Sequence, residues 1–143
     1  MTLRRGRESD LENVLRIEIN AYEKPYWNQN MLIEVLANKT DKRLWIYEVD
    51  NDVVGFIIDM RYKDEISLLN IAINKNLQGM GHGLKMFKKY IKSLSGKYNI
   101  YLEVNKKNIK ALNMYTKLNF KRVSIRKSYY TDGGDAITMQ LVK

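Results

Sequence analysis

The stretch LLNIAINKNLQGMGHGLKMFKKYIKSL, residues 68–94, decides how the chain folds. It reads as strand, glycine-rich loop, helix. Residues 66–73 are apolar except for Ser67 and Asn70, a run that suits a strand covered on both faces. Asn74-Lys75-Asn76 ends the run, and Gln78-Gly79-Met80-Gly81-His82-Gly83 follows. Leu84, Phe87, Ile91 and Leu94 then recur at the spacing of one helix face. Lys85, Lys88, Lys89 and Lys92 fall off that stripe, toward water.

Three glycines at the start of a helix have a chemical use. The first turn carries unpartnered backbone N–H groups and the positive end of the helix dipole. Glycines remove the Cβ atoms that would keep a ligand's oxygens away from that backbone. The spacing therefore predicts a phosphate-binding turn over residues 78–83. It is not an NTPase loop, because Gly83 is followed by Leu84-Lys85 rather than Lys-Ser or Lys-Thr. It also lacks the third glycine of a dinucleotide fingerprint, although Glu103 lies about where a ribose-binding acid would stand.

Composition bounds what else the chain can be. At 143 residues with 45% hydrophobic residues, it predicts one domain over residues 1–143 with its own core. No apolar stretch reaches membrane-spanning length and no signal peptide is expected, so the reading is a cytoplasmic protein with no membrane partner. Cysteine is absent, which excludes disulfides, thiolate metal sites and a cysteine nucleophile. The single histidine, His82, gives no basis for a histidine zinc site or a Ser-His pair, and no metal is expected. The net charge of +9 admits a polyanionic partner. The lysines are spread along the chain without a basic arm, so nucleic acid is not expected except through the ribosome.

Around the central unit the chain punctuates itself. Thr2–Arg5 predicts a short strand, and Ser9 and Glu12 have capping-box spacing before a helix with Leu11, Val14, Leu15 and Ile19 on one stripe. Pro25, in Tyr22-Glu23-Lys24-Pro25-Tyr26-Trp27, breaks that helix, and a second runs from about Asn28 to Ala37. Residues 44–49 and 53–61 form a hairpin about Asp50-Asn51-Asp52. Beyond the glycine loop come a strand over 98–104, a helix over 108–118, and strands over 121–128 and 135–141. The expected order is β-αα-βββ-α-β-α-ββ. That is an α/β (α+β) fold: about seven strands in a mixed, mostly antiparallel sheet with a parallel central pair, flanked by about four helices.

Two side chains stand out for chemistry. In Ile100-Tyr101-Leu102-Glu103-Val104, alternation puts Tyr101 and Glu103 opposite the aliphatic residues. A carboxylate on a covered strand is costly unless it is paired or wet, so Glu103 is either a strand-end residue reaching solvent or lysine, or a carboxylate in a cleft where parallel strands diverge. Tyr115 lies on the apolar side of its helix, with Ala111, Leu112 and Leu118. It is a core tyrosine or a hydroxyl that meets the same cleft.

The pattern Q-x-x-G-x-G after N-I-A-I resembles the GCN5-related N-acetyltransferase (GNAT) superfamily. YLEVNKKNIKALNMYTKLNF, residues 101–120, is similar to the L-E-V-x-x-x-N-x-x-A-x-x-x-Y-x-x-x-x-F block of protein N-terminal acetyltransferases. SYYTDGGDAITM and PYWNQNML resemble two further blocks of that family, whose members include the RimI type acting on a ribosomal protein's N-terminal alanine and the Ard type. The sequence departs from the pattern: Lys24-Pro25-Tyr26-Trp27 is out of register, Gly79 and His82 stand in place of other residues, and glycine precedes Asp135.

The resemblance implies acetyl-CoA as cosubstrate and a protein N-terminus, a ribosomal protein's among the candidates, as acceptor, with a monomer or weak dimer as the working form. It implies Glu103 as general base through a water and Tyr115 as general acid. It places the backbone of Ile71, Ala72 and Ile73 and the Asn108 side chain on the pantetheine arm. Gln78, Gly79, Met80, Gly81, His82 and Gly83 would hold the pyrophosphate. Tyr26, Tyr129 and Tyr130 would line the peptide entry. Two other functions fit less of the sequence: acetylation of a small amine or a lysine side chain, and a basic nucleic-acid module, for which no stacking motif or recognition helix is present.

Overall fold

The computed structural model describes residues 1–21, 27–37 and 41–143. Its elements are β1 (Thr2–Arg5), α1 (Leu11–Ala21), α2 (Gln29–Leu36), β2 (Lys42–Val49), β3 (Asp52–Tyr62), β4 (Glu65–Ile73), α3 (His82–Ser93), β5 (Asn99–Asn105), α4 (Ile109–Lys117), β6 (Lys121–Arg126) and β7 (Ala136–Val142). The strands form one seven-stranded sheet in the order β1-β2-β3-β4-β5-β7-β6. The pair β4–β5 is parallel, and β1–β2, β2–β3, β5–β7 and β6–β7 are antiparallel. The expected element order and mixed sheet are those observed. The chain divides into two compact units, residues 1–60 with 69–94, and residues 61–68 with 95–143.

In the first unit the β2–β3 hairpin turns through Asp50 and Asn51, at φ 52° and 68°. Two consecutive left-handed residues match the strand twist, which is why Asp-Asn serves here. Leu44 pairs with Ile58 and Ile46 with Phe56, so these four share one sheet face. Val14 and Ile17 of α1, Trp27, and Leu32 and Val35 of α2 bury against it. The opposite face carries Trp45, Tyr47, Gly55 and Asp59, and α3 packs there through Met86, Phe87 and Tyr90. Asp59 is fully buried and satisfied by the Arg43 guanidinium, the Trp45 indole N–H and the Tyr90 hydroxyl. A buried carboxylate survives only with such a set.

Three local readings are corrected. Ile19 is 60% exposed, and the buried stripe of α1 is Val14, Ile17 and Glu18. On α3 the fully buried residues are Met86, Phe87 and Tyr90, while Leu84 and Ile91 are partly exposed. The wide face beside β2 and β3 takes the large flexible Met86 and the hydrogen-bonding Tyr90, which an aliphatic count passes over. At the start of α1, the carboxylate that caps the turn is Asp10, which accepts the Arg7 N–H at 2.7 Å and both terminal nitrogens of Arg4 at 2.8 Å, in place of the expected Ser9–Glu12 box.

In the second unit β4 pairs with β5 over Glu65–Asn99, Ile66–Ile100 and Ser67–Tyr101, after which each strand continues, to Ile73 and to Asn105. β5 pairs with β7 from Asn99–Val142 to Asn105–Ala136. β6 forms the sheet edge and bulges at Val123, between the Arg122–Met139 and Ser124–Thr138 pairs. Helix α4 is closed at both ends. The Asn108 side chain accepts the Ala111 N–H at 3.2 Å. At the other end Asn119 takes φ 70°, its N–H reaches Thr116 O at 3.0 Å, and the Phe120 N–H reaches Tyr115 O at 3.0 Å. This double bond with a left-handed residue is a Schellman ending, and the Tyr115 and Phe120 rings meet at 5.8 Å as its hydrophobic contact.

Candidate active site

The first unit carries the glycine loop. At the end of β4, Ala72 and Ile73 are buried and Ile71 is partly so. The Asn74 N–H donates to Val54 O at 2.7 Å, and Gln78 Nε2 donates to Ile73 O at 3.0 Å. The Gln78 amide thus ties the loop back to the strand it has left. Gly79 and Gly81 follow at φ 83° and 82°, a region costly for any residue with a Cβ. A Cβ built on either would meet nothing within 4 Å, so the space beside this backbone is open. Gly81 precedes the first residue of α3, a twelve-residue helix whose opening N–H groups lie here. Open glycine backbone, a helix N-terminus and the exposed Lys75 and Lys85 fit a pyrophosphate.

Two loop residues differ from expectation. Gly83 lies inside α3, within its first turn, rather than in the loop. His82 begins α3 with its ring 6.2 Å from that of Tyr47, and its Nδ1 is buried without a hydrogen-bond partner among the described residues. Met80 stands 61% exposed at the loop tip.

The same unit holds a group that sequence reasoning missed. Glu18 is fully buried; its carboxylate accepts the Trp27 N–H at 3.0 Å and the Asn70 side-chain N–H at 2.6 Å. It joins α1, the entry to α2, and β4 one residue before Ile71. The signal was available: Glu18 lies four residues after Val14, on the helix face the aliphatics occupy. Asn70, which interrupts the apolar run, is its partner.

The second unit carries the carboxylate. Register places Glu103 beside Thr138 and Thr138 beside Ser124, so these share one sheet face, with Tyr101, Asn105, Gln140 and Arg126. Ile100, Leu102, Val104, Ile137 and Met139 are buried on the other. The expectation of a strand covered on both faces is therefore corrected: the Glu103 face is polar, and its side chain is 35% exposed. An ionic side chain needs water or a partner, and the open face supplies water. Arg126 Nη2 stands 3.8 Å from Glu103 Oε1, beyond hydrogen-bond distance.

Tyr115 is buried at 8% exposure, held by the ending of α4. Burial, with the Tyr130 phenol adding to it, pushes its pKa well above the ordinary tyrosine value. Tyr130 is half-buried, and its pKa is also raised, first by burial and then by the Glu103 charge. The Glu103 charge thus bears on Tyr130, and Tyr130 on Tyr115. Tyr129 packs edge-on against Tyr130 at 5.2 Å and is 53% exposed.

The loop bearing these rings is tied down. Gly133, at φ 81°, closes a turn through its N–H to Tyr130 O at 2.9 Å. The Asp132 carboxylate accepts the Gly134 N–H at 2.7 Å and the Asn105 amide, which holds it below the usual carboxylate range. Lys107 Nζ reaches Asp132 O at 2.9 Å. Asn108 is exposed with its side-chain oxygen committed to the α4 cap. Tyr26 lies outside the described residues.

The sequence profile of the acetyltransferase (GNAT) family matches residues 11–120. The chain belongs to the acetyltransferase (GNAT) family. It is similar to the N-alpha-acetyltransferase of Saccharolobus solfataricus, with 32% identity over 96% of this chain and 90% of that protein. It is also similar to the [ribosomal protein bS18]-alanine N-acetyltransferase of Haemophilus influenzae, with 35% identity over 85% of this chain and 82% of that one. Among solved structures, the ribosomal-protein-S18-alanine N-acetyltransferase of Escherichia coli superposes with a TM-score of 0.83 at 27% identity, covering 99% of this chain and 92% of that chain. This GNAT chain is an N-acetyltransferase, an acyltransferase enzyme.

Proposed function

We propose that this chain transfers the acetyl group of acetyl-CoA to the α-amine of a protein N-terminus, with residues 1–143 acting as one N-acetyltransferase domain. The observation that carries the reading is Glu103, a carboxylate on an open polar sheet face, 35% exposed and with Arg126 as its ion partner. The names of the two relatives, an N-alpha-acetyltransferase and a ribosomal-protein-alanine N-acetyltransferase, support the choice of amine. A ribosomal protein is the acceptor class the Haemophilus relative suggests.

Acetyl-CoA supplies an acetyl group activated as a thioester. In this reading the backbone of Gln78–Gly81 and the first turn of α3, with His82 and Gly83, hold the pyrophosphate. The ends of Ile71, Ala72 and Ile73 and the Asn108 amide hold the pantetheine arm. The α-amine attacks the acetyl carbon, the carbon–sulfur bond breaks, and Glu103 receives the amine's proton through a water. An α-amine of pKa about 7.7–8 costs about 1 kcal/mol to deprotonate at neutrality, whereas a lysine near 10.4 costs more than about 4. A single carboxylate relay suits the first. Tyr115 keeps its proton at any ordinary pH and donates a hydrogen bond to the departing sulfur. Complete transfer from a phenol to a thiolate is uphill, the more so for one whose pKa burial raises. Tyr129 and Tyr130 line the entry of the peptide.

Steady-state assays with peptides differing only in their first two residues, alongside spermidine and free lysine, test this. Turnover of peptides with a free α-amine, at a kcat/KM at least tenfold above the small amines, is expected. Faster turnover of the small amines would move the enzyme to another acceptor class.

A further inference from the structure

β6 and the residues after it present Lys121, Arg122, Arg126 and Lys127, and every residue from Lys121 to Tyr129 is exposed. No acid lies between Lys121 and Thr131. The next two acids are engaged. Asp132 is bound by the Gly134 N–H and Asn105 and faces Lys107, and Asp135 accepts the Ser128 N–H at 2.9 Å. The basic strand is thus poorly neutralised where it adjoins Glu103.

Register sorts these cations. Arg126 pairs with Ala136 and Lys121 with Gln140, and these partners oppose Asn105 and Tyr101 on the Glu103 face. Arg122 pairs with Met139, on the other face. Among the described residues Arg126 is the cation paired with Glu103, at 3.8 Å, and its guanidinium also lies over the Tyr129 ring, 5.4 Å from the centroid. Its side chain is 60% exposed. An exposed ion pair this long is weak. The guanidinium is therefore prepositioned between a carboxylate and an aromatic ring, yet free to take a better partner.

An acceptor whose amine is relayed to Glu103 comes close to this guanidinium, which stands 3.8 Å from the carboxylate. Extended chain advances about 3.3–3.6 Å per residue, so the side chain of the second or third residue comes within reach of the guanidinium. The incoming amine arrives as a cation, which Arg126 repels. A carboxylate just behind the amine pairs with Arg126 and removes that repulsion. We infer that Arg126 is a specificity-determining residue that selects N-termini carrying Asp or Glu at the second or third position. This deepens the N-terminal acceptor reading and rests on it.

The test uses three peptides identical except for Asp, Ala or Lys at the second position. Each is assayed with the unaltered enzyme, Arg126→Gln and Arg126→Glu, at low and at about 0.5 M salt. The readout is the ratio of kcat/KM between the Asp and Lys peptides within each enzyme, which cancels any general loss of activity. The unaltered enzyme should favour Asp by roughly threefold or more at low salt, with the ratio shrinking at high salt as exposed charges are screened. Arg126→Gln should bring the ratio near one and Arg126→Glu should invert it. A ratio of one in the unaltered enzyme, or the same ratio in all three, overturns the inference while leaving N-terminal acetylation standing. Failure of the unaltered enzyme to acetylate any of the peptides overturns both.

Discussion

Glu103 owes its position to backbone pairing on one side and to the parallel start of β5 on the other. Its oxygens can therefore be changed chemically without disturbing the fold. Glu103→Gln is expected to bind acetyl-CoA as before and to lose about 10²-fold or more in kcat, the scale of a lost general base. Calorimetry and steady-state kinetics on the same preparation check both halves. Tyr115 predicts a pH effect on stability. Its phenol ionises more readily in the unfolded chain, near pH 10, than in the folded one. The stability it contributes is complete below about pH 10 and is lost as pH rises toward the folded-state value. Urea midpoints should fall above pH 10, and fall less in Tyr115→Phe. Equal alkaline losses in both proteins would mean that the hydroxyl is not buried. Glu103 and Tyr115 were legible as candidates from alternation and helix spacing. The direction of the Tyr115 shift was not, because it depends on burial and on Tyr130, fifteen residues away in sequence.

Among the elements, the glycine loop and the strand before it make separable predictions. Gly81 is left-handed and faces open space. Gly81→Ala should cost about 1–2 kcal/mol of stability through backbone strain. Gly81→Asp adds negative charge where the proposed pyrophosphate lies and should abolish acetyl-CoA binding. Unchanged affinity in a folded Gly81→Asp protein, measured by calorimetry, would remove the loop from cofactor binding. Gly55 on β3 is crowded instead: a Cβ there would come 2.6 Å from Ile73 Cδ1 and 2.7 Å from Ala72 O. Gly55→Ala should lower the melting temperature and weaken acetyl-CoA binding together, since it pushes on the residues read as the pantetheine strand. Element boundaries were legible because Pro25, Asp50-Asn51 and the glycines are strong punctuation. The α3 core face was misread where Met86 and Tyr90 carry the packing. The α1 face was misread because a buried carboxylate, Glu18, is invisible to hydrophobic spacing and gains sense only from Asn70 and Trp27.

At the scale of the whole molecule, element order and four separated sequence blocks made the acetyltransferase fold legible from the chain alone, and the sheet order agrees. Cross-strand neighbours such as Arg126 and Glu103 were not legible, because their meeting depends on the β6 bulge and on β7 lying between β5 and β6. The central claim concerns the whole enzyme: it uses its base on an amine that is close to losing its proton. One peptide carrying a free N-terminus and an internal lysine puts that to the test. The two amines differ by about 2.5 pKa units, or about 3.4 kcal/mol in the cost of deprotonation. With acetyl-CoA limiting at pH 7–8, fragment mass spectrometry should find the acetyl group almost wholly on the α-amine. Lysine acetylation as fast as N-terminal acetylation, or faster, would contradict the account.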